Sequence, residues 1–169
     1  MAPKIAIVFY SLYGHIKKLA EAEKEGIESA GGKVDLYQPF FWAFQPVTAI
    51  FRAQWKTFWD ATGQLWASGG LWGKYAGTFL STASLGGGQE STALATMSTL
   101  AHHGIIYVPF GYAKAFAELT ATDQLRGGGP WGAGTVAGPS GERQPSDREL
   151  FLAKEHGKSF YEVVSKVNF

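Results

Sequence analysis

The chain has 169 residues, 46% of them hydrophobic, which predicts a single domain over residues 1–169 with a sizeable core. A formal net charge of +1 argues against an electrostatic footprint for nucleic acid or an anionic membrane, and the absence of cysteine excludes disulfides and thiolate chemistry. No stretch is long and apolar enough to span a membrane, and the short N-terminal apolar run does not fit a signal peptide, so we expect a soluble, cytoplasmic protein.

The first predicted unit is a strand, a loop and a helix within the sequence KIAIVFYSLYGH, residues Lys4 to His15. Ile5 to Tyr10 is short and continuously apolar, which is typical of a central parallel strand. The helix that follows has an apolar face and a charged face. The apolar face comprises Ile16, Leu19, Ala20, Ile27 and Ala30, and Lys17, Lys18, Glu21, Glu25 and Glu28 lie elsewhere on the helix.

The loop between this strand and helix is a candidate anion site. Free backbone N–H groups and the helix dipole attract phosphate at a helix N-terminus; Ser11 adds a hydroxyl and Gly14 permits close approach. The dinucleotide motif GxGxxG and the triphosphate motif GxxxxGK[ST] are both absent, so a phosphate monoester such as FMN suits the loop better. An ordinary turn that uses Ser and Gly for geometry explains the same residues.

Alternating elements continue along the chain and predict a doubly wound parallel sheet with its ligand at the carboxyl ends of the strands. Lys33 to Tyr37 and Tyr75 to Ala83 read as strands, and Gly104 to Pro109 reads as a last buried strand. Glu90 to Leu100 has helical periodicity. Ser146 and Glu149 form a capping box that opens a C-terminal helix, whose apolar face is Leu150, Ala153, Gly157, Phe160, Tyr161 and Val164.

A second loop of small residues, Ser81 to Gly88, is expected beside the first, where the two would form a flat slot for an isoalloxazine ring. A flexible connector is the alternative for its GGGQE sequence. Tyr13, Trp66 and Trp131 could form the walls, although tryptophans are more often core or interface residues. His102 and His103 lack nearby partners for a metal site, so we expect a buried or hydrogen-bonded histidine there and no metal.

Four long segments of the chain closely resemble WrbA-type NAD(P)H:quinone oxidoreductases, particularly fungal members known as minor allergens. They cover nearly everything except residues 39–52. The segments are YSLYGHIKKLAEA, AQWKTFWDATGQLWASGGLWGK, FLSTASLGGGQESTALATMSTLAHHGIIYVPFGY and GGGPWGAGTVAGPSGERQPSDRELFLAKEHGKSFYEVVSK.

The resemblance implies a flavodoxin-like, three-layer α/β fold in which NADH or NADPH reduces FMN and FMN reduces a quinone by two electrons. It places the phosphate on Ser11, Leu12, Tyr13, Gly14, His15 and Ile16, with Tyr13 also meeting the nicotinamide nucleotide. It places the flavin ring beside Ser81, Thr82, Ala83, Ser84, Leu85 and Gly86. It further implies that Trp66 contacts the substrate, that His102 approaches the flavin from a neighbouring loop, and that the protein forms a homotetramer with sites completed across subunits. The flavin performs the chemistry, so no catalytic side chain is required.

The chain departs from the family around residues 39–52. Members have there a long connection and a central strand ending in a G-I-P-T-R-Y-G-N loop that packs on the flavin. In the strand order 2-1-3-4-5 the missing strand is the middle one. Codons for Trp42 to Ile50, read two bases later, can encode GIPTRYGN, so we hypothesise a shifted reading frame from a misplaced splice junction. A cDNA that reads WAFQPVTAI in frame would refute this hypothesis.

Three functions follow as alternatives. The first is an FMN-dependent quinone reductase that binds FMN more weakly than its longer relatives, because the ring-binding loop is altered. The second is a flavodoxin-type electron carrier without a substrate pocket, against which Trp66 and the loop Gly127 to Gly134 argue. The third is a flavin-free interaction protein, which the altered middle of the chain favours.

Overall fold

The N-terminal unit has the predicted strand, helix, strand order. The computed structural model describes residues 2–38 and 53–168. Strands β1 (Lys4–Val8) and β2 (Lys33–Tyr37) are parallel and in register from Lys4 opposite Lys33 to Val8 opposite Tyr37. Helix α1 (His15–Ser29) connects them, and its predicted apolar face is buried or half-buried while its predicted charged face is exposed.

The middle of the chain holds the first difference from prediction. The strand expected over Tyr75 to Ala83 is divided into two short strands. It is interrupted at residues 77–79, where the Thr78 hydroxyl donates to the Trp131 carbonyl at 3.1 Å. The elements here are α2 (Ala53–Asp60), α3 (Gly63–Ala67), β3 (Tyr75–Ala76), β4 (Leu80–Thr82), α4 (Gln89–His102) and β5 (Ile106–Tyr107).

The C-terminal part contains a strand that the sequence did not predict. Gly104 to Pro109 was expected to be the last buried strand, and this expectation is wrong: only two of its residues form β5, and Ile106 is exposed. The fully buried strand comes later, as β6 (Gly134–Val136), after the short helix α5 (Phe116–Thr120). Helix α6 (Asp147–Val164) begins with the predicted capping box of Ser146 and Glu149.

Within residues 2–38 and 53–168, six strands form three separate parallel pairs, β1 with β2, β3 with β5, and β4 with β6. The parallel direction confirms the predicted α/β class, but within the described residues the pairs do not join into one sheet. The strand expected between β1 and β4 in a 2-1-3-4-5 order is the one that the sequence predicts to be missing. The predictions made for residues 39–52 lie outside the described residues.

The helices α1 and α6 share the largest packed interface between elements and connect the core clusters. Leu19 and Ala22 of α1 pack with Ala133 and with Ala153 of α6. Phe79, just before β4, contacts both this cluster and the cluster that covers β1 and β2. Helix α1 and Phe79 therefore join the β1–β2 pair to the part of the chain that contains β4, β6 and α6. Among the described residues, no helix has the length and apolar character of a membrane span.

Candidate functional site

The first predicted loop, residues 11–14, lies between the end of β1 and the start of α1. Gly14 is the N-cap of α1 with a φ of 89°, a left-handed conformation that glycine adopts without strain. Within the described residues, the backbone N–H groups of Leu12 to His15 donate to no backbone carbonyl. Tyr13 is 63% exposed. The loop therefore presents unpaired donors at a helix N-terminus, as a phosphate site requires.

The second predicted loop leaves β4 and enters α4. The Thr82 hydroxyl donates to the Ser84 carbonyl at 2.9 Å, and Leu85 at the tip of the loop is 70% exposed. Gly88, with a φ of 88°, is the N-cap of α4. The side chain of Gln89 donates to the Thr82 hydroxyl at 3.0 Å and the Thr135 carbonyl at 2.8 Å. The GGGQE segment thus forms a fixed turn, which is what a binding loop needs.

A third segment, residues 137–144, contacts both predicted loops, and we call it the bridging loop. The N–H groups of Ala137 and Gly138 donate to the carbonyls of Thr82 and Ala83 at 2.8 and 3.0 Å. Further along, Gly141 lies beside the first loop, where a Cβ would be in ordinary contact with the rings of Tyr13 and His15, at 3.8 Å. The two predicted loops therefore flank the same segment.

His15, the first residue of α1, is buried, and its Nε2 lies 3.4 Å from the side-chain nitrogen of Gln144 in the bridging loop. Sequence reasoning missed the bridging loop. Its glycine and proline signal a turn, but only the parallel pairing of β4 with β6 places that turn between the other loops.

Two predicted site residues, Trp66 and His102, lie elsewhere. His102 is in the last turn of α4, and fourteen residues of helix, about 20 Å, separate it from the loop at the N-terminus of α4. Trp66 lies in α3, which follows Thr62, and the Thr62 hydroxyl is 2.8 Å from Nε2 of His103. Both residues are exposed at the end of α4 opposite the loops. Within one chain the structure does not bring them to the loops.

His103 confirms the expectation of a hydrogen-bonded histidine in the HH pair. Its Nδ1 lies 3.0 Å from the Thr99 carbonyl, and its Nε2 contacts Thr62. Trp59 of α2 packs against the ring with centroids 5.3 Å apart. These contacts give His103 a structural role at the end of α4.

An open cavity of about 410 Å³ lies beside the second loop. Leu85, Gly86 and the first turn of α4 line one side, and the glycine-rich hairpin of residues 126–132 lines the other, with Tyr112 nearby. Trp131 also lines this cavity, and its indole N–H donates to the Glu90 carboxylate at 2.9 Å. Of the three predicted wall residues, Trp131 is therefore next to the second loop and Tyr13 is in the first.

A buried acid and histidine pair lies outside these loops. Glu23 of α1 and His156 of α6 approach to 2.7 Å at the interface of the two helices. Burial raises the pKa of the Glu23 carboxyl, against the opposing effect of the His156 ring. Both side chains are closed to solvent, so this pair can hold α1 against α6 but cannot reach a substrate.

The fold and the two loops define a flavodoxin-like α/β protein. A structural comparison agrees: the flavodoxin-like WrbA-like protein from Agrobacterium tumefaciens superposes with a TM-score of 0.67 over 95% of this chain and 96% of that chain, at 21% sequence identity. The flavodoxin-like class is therefore confirmed. The chain matches no family profile.

Curated relatives give the family. The minor allergen Cla h 7 of Davidiella tassiana is 50% identical, with both chains fully covered. The minor allergen Alt a 7 of Alternaria alternata is 47% identical over 99% of this chain and 100% of that protein. The NAD(P)H quinone oxidoreductase PST3 of Candida albicans is 47% identical over 98% of this chain and 100% of that enzyme. The chain belongs to the family of WrbA-type NAD(P)H quinone oxidoreductases.

The alignments also record a difference in length. The alignment with Cla h 7 runs over 204 positions, whereas this chain has 169 residues, so at least 35 of its positions have no residue of this chain. This agrees with the shortening that the family resemblance predicts.

Proposed function

We propose that the protein is an FMN-dependent oxidoreductase that takes electrons from NADH or NADPH and reduces quinones by two electrons. The observation that carries this proposal is the meeting of the two predicted loops around the bridging loop, at the carboxyl ends of β1 and β4. Ligands of open α/β sheets bind at that edge. The quinone reductase names of the relatives support the same reaction class.

The residues of the first loop fit the phosphate end of FMN. The unpaired N–H groups of residues 12–15 would hold the phosphate, with the Ser11 hydroxyl as an additional donor and Ile16 beginning the apolar face behind it. When bound, FMN supplies the redox chemistry, so the protein needs to bind and orient it and exclude water. Residues 81–86 would lie along the flavin ring, with Tyr13 beside the nicotinamide nucleotide.

Trp66 and His102 enter this proposal through a second subunit. Both are exposed at the end of α4 opposite the loops. A substrate contact by Trp66 and a flavin contact by His102 therefore require the corresponding residues of a neighbouring copy. We accordingly include a homotetramer with shared sites in the proposed function. The exposed Tyr13, Leu85 and Trp66 supply apolar surface for such contacts.

A titration of the folded protein with FMN tests the proposal, followed by NAD(P)H oxidation in the presence of benzoquinone. We expect saturable quenching of flavin fluorescence, with a lower FMN affinity than that of a longer relative. We also expect NAD(P)H oxidation that depends on the quinone. Trp66→Ala should raise the KM for the quinone, whereas Trp72→Ala, which removes another exposed tryptophan, should not. Flavin binding without quinone turnover would identify an electron carrier.

A flavin-free interaction protein is the second candidate, and the absence of at least 35 aligned positions favours it. Its expected result is a folded protein that does not quench FMN fluorescence at any concentration tested. Such a protein would keep the loops but lack the contacts that hold the ring. A stoichiometric yellow protein after purification would exclude this candidate.

A further inference from the structure

The carboxylate of Glu149 is the centre of a buried polar cluster beneath the candidate site. Glu149 is fully buried and lies in the first turn of α6. Its Oε1 accepts from the N–H groups of Gly127 at 2.8 Å and Val136 at 3.3 Å. Its Oε2 accepts from the Thr135 hydroxyl at 3.0 Å and the Ser146 N–H at 2.8 Å. One carboxylate thus connects the glycine-rich hairpin of residues 126–132, β6 and α6.

Arg143 connects this cluster to the bridging loop. Its Nη1 donates to the Glu149 carboxylate at 2.9 Å and to the Val136 carbonyl at 2.6 Å, and its Nη2 donates to the Leu125 carbonyl at 3.0 Å. Its backbone N–H closes the bridging loop by donating to the Ala137 carbonyl at 2.9 Å. The guanidinium therefore fixes one end of that loop to the buried core.

The bridging loop in turn sets the separation of the two candidate cofactor loops. Its start is hydrogen-bonded to Thr82 and Ala83, and at its end the side-chain nitrogen of Gln144 lies 3.4 Å from Nε2 of His15. A ligand with a phosphate at one end and a ring at the other must contact both loops at once. Its affinity depends on that separation, because a flexible spacing would have to be ordered on binding.

We propose that Arg143 is a positioning residue. It acts through the bridging loop to hold the first loop, residues 11–14, and the second loop, residues 81–88, at the separation that FMN requires. This inference rests on the proposed function for its ligand. The distinguishing property is that Arg143 serves ligands that span both loops. Riboflavin has the ring but no phosphate and does not span both loops. Its affinity should therefore not depend on Arg143.

Arg143→Met is the informative variant. It removes the cation paired with the buried Glu149 carboxylate, which lowers stability, but leaves that carboxylate four other donors. Circular dichroism first establishes that the variant is folded. Glu149→Ala would remove the centre of the cluster and disturb folding itself. Arg148→Met is the control, because Arg148, in the first turn of α6 beside Glu149, pairs with the exposed Asp123 and not with the buried cluster.

The first measurement compares FMN and riboflavin affinities by fluorescence quenching. In Arg143→Met we expect FMN affinity to fall by up to about tenfold, as for the cost of ordering a flexible segment on binding, with riboflavin affinity nearly unchanged. Arg143→Lys should recover part of the loss, since it keeps the charge but not the fork of donors. The Arg148→Met control should match the wild type. Equal weakening for both flavins would overturn the proposal.

The second measurement is amide hydrogen exchange without any flavin. Arg143→Met should speed exchange of the bonded amides of Gly138, Gly141 and Arg143 in the bridging loop and of Lys18, which donates to the Gly14 carbonyl, while the middle of α6 stays protected. Unchanged exchange at all four amides would refute the positioning role. If the wild type binds neither flavin, the proposed function fails, and the exchange measurement still decides whether Arg143 holds the loops.

Discussion

The packing of α1 against α6 depends on a glycine in each helix, and replacing one of them gives a sharp prediction. Gly157 of α6 faces the backbone of α1: a Cβ at this position would lie 2.2 Å from the Glu23 carbonyl oxygen. Gly26 of α1 makes the reciprocal approach to the Lys154 carbonyl. Both clashes involve backbone atoms, which cannot turn aside as a side chain does. In Gly157→Ala the helices must therefore separate.

The magnitude follows from that distance. Ordinary contact begins near 3.4 Å, so the added methyl group requires a separation of about 1.2 Å. Overpacking of this kind costs about 1–3 kcal/mol, and stretching the bond between Glu23 and His156 adds about 1 kcal/mol. Alanine recovers about 1 kcal/mol of helix propensity. We expect a net loss of about 2 kcal/mol in unfolding free energy, or about 4–8 °C in Tm.

Urea and thermal unfolding followed by circular dichroism measure this effect. Gly63→Ala is the control, because Gly63 begins α3 and a Cβ there meets nothing within 4 Å. The control should be as stable as the wild type or slightly more stable. If Gly157→Ala were as stable as the wild type, the two helices would not be in the close contact described here, and the reasoning would be wrong.

Three further predictions concern single residues. Ser146→Ala removes the cap of α6 and should cost about 1 kcal/mol in urea unfolding, with Ser146→Thr close to the wild type. Burial raises the pKa of Glu23 above its ordinary value of 4.5, so the folded state holds this proton more tightly and stability should fall as pH rises through the raised pKa. Glu23→Gln should lose this component, which unfolding between pH 4 and 8 would reveal; identical pH profiles would contradict it. Gly14→Ala should cost about 1 kcal/mol, because its φ of 89° strains any residue with a Cβ although the space is open. It should also weaken FMN binding, whereas Gly86→Ala, where φ is not positive, should leave stability unchanged.

The sequence predicted the elements whose formation depends on neighbouring residues along the chain. The apolar run of β1, the periodicity of α1 and the capping box of α6 all occur as expected. The strand predicted over residues 75–83 is broken because of tertiary contacts. A Cβ at Gly77 would lie 3.3 Å from the rings of His156 and Phe160, and the Thr78 hydroxyl donates to the Trp131 carbonyl. No periodicity in the strand itself records these partners.

The candidate site was predictable in part for the same reason. Each candidate cofactor loop has its own signal, a small-residue turn between a strand and a helix, and both turns occur where expected. The bridging loop has no such signal, because its role depends on β6, whose three residues are too few to show a pattern. Arg143 and Glu149 are charged residues in a polar stretch, and the sequence gives no indication that Glu149 is buried.

The packing of α1 against α6 affects how the chain folds during its synthesis. Helix α1 ends at Ser29 and its partner α6 begins at Asp147, so more than 100 residues are synthesised between them. Until α6 leaves the ribosome, the apolar face of α1 has no partner helix to cover it. We expect nascent chains that lack α6 to depend on chaperones, and this part of the fold to be completed only after α6 has been synthesised.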